Sequence, residues 1–336
     1  MGQVIPMPGA DPAPAFAHAA EAFLLAHAGP AAWSPGTAAK YRQTLTALAG
    51  HLAAVAPAAA GDIAVLDTPP GAGTLAAAFT AASGSLAPAT RARHLAALRS
   101  ALAWRRRRGW LAGDPTSGWA RPRVPVDTTR ALTRGQVAAL WRLDMPLRDK
   151  TLWRMLYETA ARAEEILGLD VEDLELPDKR ARVVSKGGMT EWVHWQTGAA
   201  LLLPRLLGGR RHGPVFLASR QPARAVATAD LCPVTGRARL SYRRAAELFE
   251  QSTRRLAHPS AAAAELAGLD GWTLHQLRHS MLTHEAENGT NTPTLLARSR
   301  HASVRSLERY ARPGPEAVAR HVAATDPAAR RRPPAG

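Results

Sequence analysis

Pro115, Pro122 and Pro125 interrupt the stretch Gly113–Arg130, "GDPTSGWARPRVPVDTTR", which has almost no apolar periodicity. Proline lacks the backbone N–H and drives its predecessor out of the helical region, so this segment cannot sit inside a helix or a central strand. It reads as an extended linker, and it obliges the chain to fold as two bodies. At 336 residues, each side is long enough to bury its own core. The expected boundaries are a helical domain over 13–119, a linker over 120–132, a second domain over 133–322 and a basic tail over 323–336.

The first body is patterned for helices. Ser34-Pro35 makes an N-cap and first-turn pair, after which Ala38, Tyr41, Leu45, Leu48 and Leu52 recur at steps of three and four. A second helix follows Pro88, with Leu95, Leu98 and Leu102 inward and Arg91, Arg99 and Arg106 among its polar positions. It stops at Gly109, Gly113 and Pro115, and the run Arg105–Arg108 reads as a solvated cluster or a phosphate contact. In the second body, Thr133 is expected to cap a helix over "RGQVAALWRL". Val183-Val184 and Trp192–Trp195 flank a Gly187-Gly188 turn, the one convincing hairpin. A short strand is expected at "PVFLA" within an irregular 208–240 loop. Helices are expected over 241–257, over Thr273–Glu287 with a stop at Asn288-Gly289, after a Thr292-Pro293 cap, and from about Ser303 through Tyr310. The fold class is mainly α, with a small β-hairpin sheet in a C-terminal α+β domain.

Charge narrows the partner. The formal net charge is +16, and only four of the 43 basic residues are lysines. A surplus of this size points to a polyanion, nucleic acid before membrane. The single cysteine, Cys232, excludes an internal disulfide and a Cys-based zinc site, and reads as a small apolar filler. The N-terminus lacks the basic and apolar regions of a secretory signal, and no run approaches the ~18 apolar residues of a membrane span. A cytoplasmic, nucleoid-associated location without membrane contact is the expectation.

Within this basic chain, Arg162 ("AARAEEILGL"), Lys186 ("VVSKGGM"), His275 and Arg278 ("LHQLRHS"), His301 and Tyr310 ("RHASVRSLERY") occur in order. Singly, each has an ordinary reading: an Arg paired with Glu165, a turn lysine, surface residues of a basic helix, a cap histidine, a half-buried aromatic. Together they meet the needs of metal-free phosphodiester chemistry. A side-chain nucleophile splits one hard displacement into two through a covalent intermediate. Arg, with its permanent charge and planar fork, neutralises the phosphorane-like charge. A tyrosine of pKa near ~10 needs a base or a cationic field before it can attack. His275 and Arg278, three residues apart, share one helix face.

This ordered set resembles the tyrosine recombinase (phage integrase-like) family from about Thr133 to Tyr310. "AARAEEILGL" is similar to the first arginine box, "LHQLRHS" to the second, and "SRHASVRSLERY" to the His…Tyr segment; the N-terminal part is similar in helix pattern to a core-binding (SAM-like) domain. The resemblance implies a site-specific DNA recombinase that needs neither metal nor high-energy cofactor. Tyr310 would form a 3′-phosphotyrosyl link, and Arg162 and Arg278 would clamp the non-bridging oxygens with a further hydrogen bond from His301. His275 would act as acid/base, Lys186 would protonate the leaving 5′ oxygen, and Glu165 would orient Arg162. The partners implied are double-stranded DNA target sites and a homotetramer assembled on two of them. The chain departs from the family pattern in three places. Ser299-Arg300 stands where Leu-Gly usually precedes the histidine. Thr190-Glu191 replaces a basic residue after Lys186. The stretches 208–240 and 258–270 are longer than a minimal member needs.

Two other functions fit parts of the pattern: a catalytically idle DNA-binding regulator and a type IB topoisomerase-like nicking-closing enzyme. A metal-dependent nuclease fits less well, because Glu164, Glu165 and Asp170 do not assemble a plausible two-metal cluster.

Overall fold

The computed structural model describes residues 13–28, 33–124, 131–184, 188–300 and 304–307, with 318–319, 322–323 and 325–326. Lys186, His301, Tyr310, most of the tail and the linker's centre lie outside the described residues. The chain divides into two compact units, Met1–Val126 and Asp127–Gly336. No helix among the described residues is long and apolar enough to cross a membrane.

The first unit is all helical. Its elements are α1 (Phe16–Ala26), α2 (Pro35–Val55), α3 (Pro57–Gly61), a 3-10 turn (Ile63–Asp67), α4 (Pro69–Ser83) and α5 (Pro88–Arg107). The Ser34 hydroxyl accepts the Thr37 N–H, as an N-cap before Pro35 should. Leu48 and Leu52 from α2 meet Leu98 and Leu102 from α5 in one core with Phe16, Ile63, Leu66 and Leu75. The arginine run differs from expectation in one member. Arg105 is fully buried, its guanidinium 4.2 Å from the Phe16 ring centroid. It follows Leu98 and Leu102 at helical spacing, so the apolar stripe of α5 carries it inward.

The second unit holds α6 (Arg134–Arg142), α7 (Leu147–Thr159), α8 (Ala163–Leu167), β1 (Leu174–Glu175), β2 (Arg180–Val184), β3 (Thr190–His194) and α9 (Thr197–Leu207). It continues with α10 (Tyr242–Ala257), α11 (Leu274–Glu287), α12 (Thr292–Ser299) and α13 (Val304–Leu307). Thr133 caps α6 in a reciprocal box with Gln136. The sheet is antiparallel in order β1-β2-β3, with Ala181 opposite Val193 and Val183 opposite Glu191. Ala181, Val183 and Val193 turn into a core shared with Trp153, Phe216, Phe249 and Trp272. Alternation of buried and exposed positions therefore carries the hairpin, as the sequence predicts.

Two expectations are corrected. "PVFLA" is not a regular strand: it makes only isolated bridges, Pro214 to Asp170 and Leu217 to Arg239. What holds the 208–240 loop is Arg239, whose guanidinium donates to Asp170, Asp230 and the carbonyls of Leu167 and Leu169. The cap of α12 is Asn291, whose side chain accepts the Thr294 N–H, and Thr292 is already helical.

Candidate active site

The site is assembled where α7 ends. The chain leaves α7 through Ala160, a left-handed residue at φ 51°, and the Thr159 hydroxyl accepts the Ala161 N–H. This turn delivers Arg162 to the start of α8. There the Glu165 carboxylate accepts the Arg162 backbone N–H at 2.8 Å through Oε2 and the Arg162 Nη1 at 2.7 Å through Oε1. Arg162 keeps 40% of its side chain exposed, whereas Glu165 is 6% exposed. The arginine is thus held by its base with its fork partly open.

Arg278, on α11, is buried and joins two distant segments. Its Nη1 donates to the Ala160 carbonyl and its Nη2 to the Ser299 carbonyl at 2.5 Å. The first acceptor lies two residues before Arg162 and the second two residues before His301. Charge-assisted bonds of this kind fix both chain segments to α11. His275 lies one turn earlier on α11, is exposed, and stacks edge-on against the buried His279 at 4.6 Å between centroids. The structure therefore ties Arg278 to the segment that bears Arg162, with Arg278 buried and His275 exposed one turn earlier on the same helix.

One residue was not foreseen. Arg300 is left-handed at φ 53° and only 3% exposed, and its Nη2 donates to Glu165 Oε2. A non-glycine residue in this conformation costs about 1–2 kcal/mol. Ala160 and Arg300, the two such residues in this region, stand just before the arginine and histidine segments, so strain collects where side chains must be aimed. The signal in the sequence was the missing glycine itself: a position that favours left-handed backbone carries a long cation instead. Burial alone would raise the Glu165 carboxyl, but Arg300 and then Arg162 bring it below the usual carboxylate range.

The neighbouring carboxylates are also committed to arginines, Glu165 to Arg162 and Arg300, and Asp170 to Arg239. A groove of about 350 Å³ separates α8 from the β2–β3 hairpin, lined by Glu164, Glu165, Arg182, Val184 and Thr190. The hairpin's base is in the core, and Val184 and Met189, on either side of 185–187, are exposed.

The sequence profile of the phage integrase family matches residues 131–316, which span both arginine segments and the His…Tyr segment. The chain belongs to that family. A tyrosine recombinase XerC from Mycobacterium bovis (strain BCG / Pasteur 1173P2) is 31% identical over 243 residues, covering 69% of this chain and 75% of that protein. The XerC of Mycobacterium leprae (strain TN) is 28% identical over 240 residues, with the same coverages. Among solved structures, the Tn1549 transposon integrase in complex with circular intermediate DNA superposes with a TM-score of 0.63 at 14% identity. That match covers 92% of this chain and 99% of that one. The XerH recombinase bound to a palindromic difH substrate gives a TM-score of 0.59 at 14% identity, covering 85% of this chain and 79% of the other. The expected fold class is the one observed: helical, with a small antiparallel sheet. The protein is a tyrosine-type site-specific recombinase, an enzyme acting on DNA.

Proposed function

We propose that this recombinase cuts and rejoins duplex DNA through Tyr310, which attacks the scissile phosphate, forms a 3′-phosphotyrosyl bond and expels a 5′-hydroxyl. Arg162 and Arg278 neutralise the developing charge on the non-bridging oxygens, and His301 adds a hydrogen bond. His275 takes the tyrosine proton, and Lys186, between β2 and β3 in sequence, protonates the leaving oxygen. Attack by a second strand's 5′-hydroxyl reseals the backbone and frees Tyr310, so the bond energy is conserved without a cofactor. The observation that carries this reading is the pair of hydrogen bonds that Arg278 donates to the Ala160 and Ser299 carbonyls. It ties the segment bearing Arg162 to the segment leading into His301, although 118 residues separate Arg278 from the first and 21 from the second.

In this reading 13–119 is a helical core-binding domain that contacts the DNA, 133–322 is the catalytic domain, 120–132 joins them, and four copies assemble on two sites. The enzyme works in the cytoplasm on the nucleoid. The test starts by recovering a bound duplex from a random-sequence pool. That site is then built as a nicked suicide substrate and incubated with the protein in EDTA. A covalent protein–DNA adduct is expected, absent for Tyr310→Phe. No adduct from the wild type on a footprinted site would refute it, and exchange between two duplexes separates recombination from nicking and closing.

A further inference from the structure

Two of the positions at which the sequence leaves the family pattern, Arg300 and Glu191, lie beside each other. Arg300 Nε is 3.7 Å from Glu191 Oε2, while Arg300 Nη2 is bonded to Glu165. Glu191 is on β3, opposite Val183 of β2, near the hairpin's far end. Arg300 thus spans three pieces of the site: α8 with Arg162, the hairpin that bears Lys186, and the chain entering His301. Among the described residues its buried Nε finds no hydrogen-bond partner. Glu191, 30% exposed, is an acceptor standing just beyond bonding distance from it. A small inward movement of β3 across the groove beside α8 would complete that bond.

We infer that Arg300 is a positioning residue of the strand-cleavage centre, bridging Glu165 and Glu191 so that the hairpin's seating on α8 is coupled to the aim of Arg162 and His301. This rests on the strand-cleavage reading above. Two consequences follow from the charges. With Arg300 present, Glu165 sits between two guanidinium groups, so its negative charge is shared and Arg162 keeps more of its field for the phosphate. With Glu191 acidic, the hairpin is attracted to the same cation rather than repelled by it. Lysine at 300 would keep one charge but not the planar fork that reaches two carboxylates at once.

The test uses Arg300→Gly, which relaxes the left-handed backbone while deleting the cation, together with Arg300→Lys and Glu191→Gln. Single-turnover adduct formation on the recovered suicide duplex should slow by on the order of 10²-fold in Arg300→Gly with duplex affinity unchanged, since a misplacement of about 1 Å carries that cost. Arg300→Lys should regain part of the rate. Backbone hydrogen exchange over 180–194 should quicken by ~10-fold or more in Arg300→Gly and Glu191→Gln while α7 and α9 stay protected. Wild-type cleavage by Arg300→Gly with an unchanged hairpin overturns the inference, and so does loss of protection throughout the second unit, which marks a folding role. If the wild type makes no adduct, the cleavage reading falls, and the exchange over the hairpin alone decides whether Arg300 is the bridge.

Discussion

Replacing Glu165 with alanine removes the acceptor on which two arginines converge. The carboxylate is 6% exposed and receives the Arg162 backbone N–H, Arg162 Nη1 and Arg300 Nη2. The contribution from the Arg162 side chain is small, roughly 0–1 kcal/mol, because that guanidinium is 40% exposed and screened. Arg300 dominates: at 3% exposure it would be left as a buried cation with Glu191 Oε2 3.7 Å away, and stranding one member of a buried pair costs about 3–5 kcal/mol. For a unit of roughly 200 residues this lowers the midpoint by ~6–20 °C. Glu165→Gln keeps an oxygen acceptor and should lose about half as much. Because Arg300 carries most of the penalty, adding Arg300→Gly to Glu165→Ala should cost less than the sum of the two single changes. The pH dependence has a fixed sign. The folded carboxyl titrates below its ordinary 4.5, so its stabilisation is present above that pH and disappears as pH falls through the folded value. Urea unfolding followed by circular dichroism at pH 7 and in steps down to pH 3 reads both effects. A Glu165→Ala protein within ~1 kcal/mol of wild type at pH 7 would refute the ion-pair reasoning, as would a gap between wild type and Glu165→Gln that persists unchanged at pH 3.

Glu158, buried on α7, accepts the N–H groups of Gln196 at 2.9 Å and Ala199 at 3.0 Å at the start of α9; Glu158→Ala should cost about 2–4 kcal/mol in chemical denaturation. Buried His284 pairs through Nδ1 with the Tyr157 hydroxyl at 2.8 Å, and burial, then Arg134, pushes its pKa down from 6.5. Its contribution is present above pH 6.5 and is lost as pH falls through the folded value, so unfolding free energy should decline on acidification in the wild type and less steeply in His284→Gln. Arg105 has burial pulling its pKa down to about 9 and no carboxylate bonded to it among the described residues; Arg105→Met should raise the midpoint of the first unit by scanning calorimetry, by ~1–3 kcal/mol of stability.

What was legible in the sequence is local. Ser34, Thr133 and the stop at Asn288-Gly289 act within one helical turn, so capping chemistry reads from neighbouring residues. The hairpin's alternation was equally visible, whereas β1, only Leu174–Glu175, is too short to leave a pattern. Arg105 misled because charge in a run of four outweighed its place on the Leu98–Leu102 stripe. The family was readable from an ordered set of residue types, because the reaction expected of it demands cations, a proton carrier and a nucleophile. The mechanics of the site were not. Arg278 acts through carbonyls of Ala160 and Ser299, groups every residue owns and no sequence can flag. The missing glycine at Arg300 marked the right place, but the replacement kept the left-handed backbone at φ 53° and turned the side chain inward to Glu165. Sequence alone settled most of the helices, the hairpin and the family of the chain, since propensity and reaction demand are properties of residues. Tertiary structure alone decided which carboxylate meets which arginine, since pairing across 135 residues depends on where the backbone puts both ends.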